Sequence, residues 1–221
     1  DELKRRIELA DVAVVGWSHF TKDVIDSARK LQMISIWATS CHYADLDAAK
    51  ARGVVVTHVP GYASESVAEY TFALLLAAVR KLPSADRHVR EGEFDWRPFG
   101  GRELAGKTLG VIGTGAIGCR VAEIGRAFRM RVLGFDKYPN VKRAREVGFR
   151  YVGLDGLLRE SDVVTVHVTL TAETEGLIGR REIGVLKEGG VVVSTSQGKV
   201  SDEEAFVDAL RSGRVSCAGL D

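Results

Sequence analysis

Short apolar runs, rich in Val and Ile, alternate along this chain with stretches whose apolar residues recur at helical spacing. Residues 11–15, 33–37, 54–57, 108–112, the run ending before Asp136, 151–152, 162–168, 191–194 and 216–220 read as strands. The 162–168 run, with Val at four of its seven positions, reads as a buried strand of the parallel type. Helices are expected over 21–31, where Thr21 serves as cap, and over 46–52, 67–81, 116–128, 144–147, 154–159, 181–186 and 202–211. Strands alternating with helices predict a doubly wound parallel sheet of the α/β class. In such sheets ligands bind beyond the carboxyl ends of the strands, which singles out Asp136, His167 to Leu170, Thr195 to Gly198, and Asp221.

Pro60 and Gly61 break the chain, so residues 1–59 read as a partial open α/β unit and residues 60–221 as a second domain. Ser66-Val67-Ala68-Glu69 has the form of a capping box opening the 67–81 helix. That helix is apolar nearly all round, which predicts cover on most sides and a place between the two domains. Its unbroken apolar core, 72–79, is too short to cross a bilayer. Residues 87–102 carry Phe94, Trp96 and Phe99 without periodicity. They form either an exposed arm that docks on a second subunit or three rings packed on their own domain.

The balance of 31 Lys and Arg against 30 Asp and Glu, scattered rather than striped, gives no electrostatic case for nucleic acid or an anionic membrane. Cys41, Cys119 and Cys217 are odd in number and outside any CxxC pattern. Reduced thiols in a cytoplasmic setting fit better than disulfides or a metal site, and no metal is expected.

The most informative stretch is Gly113-Thr114-Gly115-Ala116-Ile117-Gly118, placed between an expected strand and an expected helix. A pyrophosphate rests on the free N–H groups of a helix N-terminus only where no side chain blocks the backbone. Gly113 permits the tight turn, Gly115 the close approach, and Gly118 the packing of helix on strand. Asp136 follows Gly118 by eighteen residues, close to the offset at which a carboxylate accepts hydrogen bonds from the adenosine ribose. It would repel a 2′-phosphate, so NAD is favoured over NADP, a preference that Lys137 would soften.

Over almost its whole length the sequence resembles the D-isomer-specific 2-hydroxyacid dehydrogenases. The matching pieces are Asp47-Ala48-Ala49-Lys50-Ala51-Arg52-Gly53-Val54, the Ser66–Glu69 motif, Gly106-Lys107-Thr108-Leu109-Gly110-Val111-Ile112-Gly113, and His167-Val168-Thr169-Leu170-Thr171 with Gly176-Leu177-Ile178. The resemblance implies a Rossmann-type NAD-binding domain plus a partial flavodoxin-like substrate domain, assembled as a homodimer that acts on a small 2-hydroxy or 2-oxo acid. It assigns Gly113, Gly115, Ala116, Ile117, Gly118, Asp136, His167, Val168, Thr169, Thr174, Thr195, Ser196 and Asp221 to the cofactor, with Asp221 near the nicotinamide carboxamide. Backbone N–H groups at Ala38, Thr39 and Ser40 would hold the substrate carboxylate. The family's Glu and His, which carry the substrate proton, would fall past Asp221.

Two departures stand out. Gln197 occupies the position of the family's catalytic Arg, and Gln offers neither charge nor the two-pronged guanidinium grip on a carboxylate. Lys199 could supply the charge from two residues away. The substrate loop reads Ala38-Thr39-Ser40-Cys41-His42-Tyr43-Ala44-Asp45 where the family is glycine-rich, and there Ser40 narrows the approach. His42 replaces an acid and is either a proton donor or a packing residue. Three functions remain open on these residues: an NAD-dependent dehydrogenase, a catalytically quiet NAD-binding scaffold or sensor, and a protein of the same fold using a non-carboxylate substrate or another adenosine ligand such as S-adenosylmethionine.

Overall fold

The computed structural model describes residues 2–221. The chain divides into two compact units, the first ending at Ala63 and the second running Ser64–Asp221.

The first unit contains α1 (Glu2–Ile7), β1 (Val12–Val15), α2 (Lys22–Ser27), β2 (Met33–Ile36), α3 (Leu46–Ala51) and β3 (Val55–His58). Its strands pair in parallel in the order β1-β2-β3 around fully buried Ile25, Ile34 and Ile36. Asp45 caps α3 by accepting from the Ala48 N–H at 2.9 Å. Thr21 sits at the N-cap of α2 but makes no side-chain cap bond, and α2 stops at Ser27, short of the expected end at residue 31. Two things end it there: the Ser27 hydroxyl turns back to the Val24 carbonyl, and the Arg52 guanidinium donates to the Ile25 and Ala28 carbonyls. Replacing Arg52 by Met, which keeps the stem, is expected to lower the stability of this unit by about 1 kcal/mol. Urea unfolding followed by circular dichroism reads this, and an unchanged midpoint would mean that water serves those carbonyls equally well.

The second unit holds α4 (Ser64–Val79), α5 (Leu82–Arg90), β4 (Thr108–Ile112), α6 (Ala116–Ala127), β5 (Arg131–Phe135), α7 (Val141–Val147), β6 (Arg150–Tyr151), α8 (Leu154–Glu160), β7 (Val163–Val166), α9 (Arg180–Val185), β8 (Gly190–Ser194), α10 (Glu203–Ser212) and β9 (Val215–Leu220). Six parallel strands run in the order β6-β5-β4-β7-β8-β9. The chain therefore builds outward from β4 in one direction, returns, and builds outward in the other, which makes the seam between β4 and β7 the switch point. Every residue of β4, β7 and β8 is buried, because helices cover both faces. One face packs on α4, α6 and α7 through Phe72, Leu75, Val121 and Val147, and the other on α8, α9 and α10 through Leu157, Leu158, Ile183 and Phe206.

Two expectations need correction. The long helix starts at Ser64, so Ser66 lies inside it and does not cap it; the turn at residues 61–63, with Gly61 at φ 75°, already directs the chain into the helix. Within its own unit this helix packs on α6 and on β8 and β9, and Gly219 lets β9 come close beneath Leu74. The 87–102 segment is not uniformly irregular, because α5 claims its first residues. Phe99 meets His88 at a tilt, with ring centroids 5.1 Å apart, while Phe94 and Trp96 stand 94% and 81% exposed.

Among the described residues, no helix is long and apolar enough to cross a membrane.

Candidate functional site

β4 ends at the switch point and turns into α6 through the glycine run. Gly113 has φ 87°, and a Cβ there would lie 2.8 Å from the His167 carbonyl carbon and the Val168 nitrogen. A Cβ on Gly118 would lie 1.9 Å from the Gly113 carbonyl oxygen. Both glycines are thus demanded by the fold. Gly115 is different: its φ is −67°, and a Cβ there would meet nothing within 4 Å. A glycine that neither the backbone nor the packing needs leaves open space above the first turn of α6, where the N–H groups of Ala116, Ile117 and Gly118 have no carbonyl ahead of them in the helix.

Asp136 follows β5 and faces this turn. Its Oδ2 accepts from the Thr114 N–H at 2.7 Å and the Thr114 hydroxyl at 3.0 Å, and its Oδ1 from the Tyr138 N–H at 2.9 Å. Thr114 spends its one proton on Asp136, so the 2.7 Å contact with Tyr151 is donated by the phenol, which in turn accepts from the Asn140 N–H. The carboxylate is held from three sides with no cation in the set. Lys137 is engaged elsewhere, by the Glu173 carboxylate.

A cavity of about 490 Å³ opens over these groups, lined by Gly113, Gly115, Asp136, His167, Val168, Thr169 and Thr174 from the expected set. Lys137, read in the sequence beside Asp136, and Thr171 and Leu177, from the matching motifs, also line it; Phe135, Tyr138 and Glu173 complete it, and no sequence signal pointed to those three. The Thr174 hydroxyl donates to the Thr169 carbonyl at 2.6 Å and accepts from the Thr171 N–H at 2.8 Å, so the wall is tied to itself.

His167, just after β7, belongs to a buried chain of hydroxyls. Thr71 donates to the Val67 carbonyl at 2.8 Å, Thr71 and Thr195 lie 3.3 Å apart, and Thr195 lies 3.3 Å from His167 Nδ1. Because Thr71 has no second proton, Thr195 donates to it, and Nδ1 of His167 is then the protonated nitrogen. Burial pushes the imidazole down to about 3, so it is neutral at physiological pH. Its Nε2 is buried without a partner.

Ser196 donates to the Val166 carbonyl at 3.0 Å, tying the segment after β8 to β7. Asp221 does not line the first cavity. It follows β9, donates its N–H to the Ser194 carbonyl at 3.0 Å, and borders a separate hollow of about 250 Å³ with Ser194, Ser196, Phe206 and Leu210. Gln197 lines neither cavity and stands exposed at the head of the 3₁₀ turn 198–200. Ala38, Thr39 and Ser40 follow β2 in the first unit, where Ser40 Oγ lies 2.9 Å from His42 Nδ1. Among the described residues, no group of three or more His, Cys, Asp or Glu side chains could hold a metal ion.

A parallel sheet in this strand order, with a glycine turn at the switch point and an acid after the neighbouring strand, defines a Rossmann-type dinucleotide-binding domain. The chain belongs to the D-isomer-specific 2-hydroxyacid dehydrogenase family, and residues 72–221 match that family's NAD-binding domain. It is 41% identical over 222 residues to a D-3-phosphoglycerate dehydrogenase of Archaeoglobus fulgidus, spanning all of this chain and 42% of that protein. A glyoxylate reductase of Aeropyrum pernix is 41% identical over 206 residues, which cover 90% of this chain and 62% of the relative. The fold superimposes with a TM-score of 0.91 on a D-lactate dehydrogenase from Aquifex aeolicus complexed with NAD and lactic acid, at 38% identity, covering 99% of this chain and 66% of that one. The open cradle at Gly115, the free first-turn N–H groups and the carboxylate at Asp136 fit NAD, and the family's NAD-binding domain sets the S-adenosylmethionine alternative aside.

Proposed function

We propose that this chain is the nucleotide half, with residues 1–59 as part of the substrate half, of an NAD-dependent oxidoreductase acting on a 2-hydroxy or 2-oxo acid. The observation that carries this is Gly115, whose missing side chain serves no need of the fold and leaves the α6 N-terminus open to a pyrophosphate. In this proposal Gly113, Gly115, Ala116, Ile117 and Gly118 present the backbone to the phosphates. Asp136 accepts from the adenosine ribose, and Val168, Thr169 and Thr174 wall the adenine end. His167 joins them at the adenine end, Thr195 and Ser196 border the cofactor, and Asp221 lies toward the nicotinamide carboxamide. When bound, the nicotinamide supplies or receives the hydride. The N–H groups of Ala38, Thr39 and Ser40 orient the substrate carboxylate, and Gln197 donates a neutral hydrogen bond where the family has a guanidinium. NADH oxidation with glyoxylate and hydroxypyruvate, and NAD reduction with lactate, test the activity.

Gln197 also supports a second reading, a protein that binds NAD and turns nothing over. NADH binding without turnover of any acid on the panel would favour it. The exposed Phe94 and Trp96 support a homodimer in which they are covered, to be read by sedimentation with and without the double change to Ser. Three free cysteines support the cytoplasm.

Asp136→Ala is expected to weaken NADH about tenfold, the worth of one charged hydrogen bond, and to narrow the gap to NADPH by removing the repulsion of a 2′-phosphate. Titrations of both nucleotides measure it. An unchanged NADH affinity would remove Asp136 from the ribose site.

A further inference from the structure

The three loops at the carboxyl ends of β1, β2 and β3 are residues 16–21, 37–45 and 59–63, and they contain no Lys or Arg. They carry instead Trp17, His19, Phe20, Trp37, His42, Tyr43 and Tyr62. Trp17 and Trp37 meet edge to face with centroids 4.8 Å apart, yet stand 74% and 49% exposed. Trp37 holds its place tightly: its N–H donates to the Val15 carbonyl at 3.0 Å, and a Cβ on Gly16 would lie 2.5 Å from its indole nitrogen. Two large rings fixed in this way, with an indole face left open, are uncommon on a surface unless something covers them.

The place is informative, because ligands of parallel sheets bind at the carboxyl ends of strands and Trp37 directly precedes Ala38, the first of the proposed carboxylate-binding residues. On the other side of Ser40, the rings of His42 and Tyr43 meet at a tilt with centroids 3.9 Å apart, and His42 lies 6.5 Å from His19. Burial and the neighbouring His19 hold His42 below the ordinary imidazole range, so it is no fixed cation at neutral pH. A phosphorylated substrate would bring a second anionic group, close to doubly charged, to this end and find no guanidinium or ammonium from these loops to hold it. An aryl or large apolar group would find a ring to lie against.

Resting on the dehydrogenase reading above, we infer that Trp17 and Trp37 are specificity-determining residues and that the substrate is a 2-oxo acid with an aromatic or bulky apolar side chain, not a phosphorylated one. The test compares phenylpyruvate, glyoxylate and 3-phosphohydroxypyruvate as oxidants of NADH, in wild type, Trp17→Ala and Trp37→Leu. Quenching of indole fluorescence by phenylpyruvate, measured in a Trp96→Phe background that leaves only Trp17 and Trp37, is a second readout. The expected result is a kcat/KM for phenylpyruvate about tenfold or more above the other two, lost about tenfold in Trp17→Ala through KM while glyoxylate changes less than about twofold. Trp17 is mostly exposed, so its removal leaves the fold intact if Trp37→Leu does not. Preference for 3-phosphohydroxypyruvate, or equal losses on phenylpyruvate and glyoxylate, would overturn the inference and leave the dehydrogenase reading standing. Turnover of none of the acids would sink the dehydrogenase reading; quenching by phenylpyruvate would then keep the aromatic site, and its absence would end that as well.

Discussion

Gln197→Arg is expected to raise kcat/KM on 2-oxo acids by roughly two to three orders of magnitude, the usual worth of one charge-stabilising donor at a reacting carbonyl. Gln197 sits with φ −62° and ψ 138°, an ordinary extended geometry, on the exposed side of a short turn. A longer, charged side chain therefore enters without strain or burial, and the stability of the fold should stay within about 0.5 kcal/mol. The gain comes from a planar fork that can meet both carboxylate oxygens at once, which an amide cannot do. Because a guanidinium holds its charge throughout the accessible pH range, the gain should not depend on pH. Steady-state NADH oxidation measures it, with thermal unfolding as the control. A rate unmoved by the change, in a protein that binds NADH normally, would mean that this position does not face the reacting group.

A second large effect separates two glycines that look equivalent in the sequence. Gly118→Ala places a methyl group 1.9 Å from the Gly113 carbonyl oxygen, a backbone atom that cannot rotate away, so helix and turn must part. The expected cost is at least the 1–3 kcal/mol typical of overpacking, seen as a lower melting temperature, with NADH binding lost because the cradle is displaced. Gly115→Ala meets nothing within 4 Å and should leave the melting temperature unchanged while weakening NADH tenfold or more. Calorimetry and NADH titration on the two variants make the comparison. Equal effects of both changes on stability would remove the reason for assigning Gly115 to the ligand.

Much of this was readable in advance where one cause dominates. The central strands β4, β7 and β8 were legible because they are covered on both faces and therefore largely apolar, and β4 matched its expected bounds. α1 and α5 were not: α1 is six residues long and buries only Ile7, and α5, although Leu82, Ala85 and Val89 fall at helical spacing, is short, polar overall and buries none of its residues. The Ser66–Glu69 motif misled because a turn three residues upstream had already set the helix direction, and local pattern does not carry that information. At the site, the glycines and Asp136 were legible because their demands are local. The Thr71–Thr195–His167 chain was not, since it joins residues 124 positions apart, and an isolated Thr in an apolar helix has no mark of what it will touch. The same holds for Lys137, whose partner Glu173 lies in a different loop.

The position of α4 also governs how the second unit is made. The helix is the first element of its unit to leave the ribosome, yet one of its faces is covered by β9, made about 135 residues later. At the usual pace of synthesis roughly ten seconds or more separate the two events, during which Leu74 and its neighbours have no sheet edge to lie on. The nascent unit therefore carries one uncovered apolar helix face for most of its synthesis, a surface of the kind that a chaperone grips.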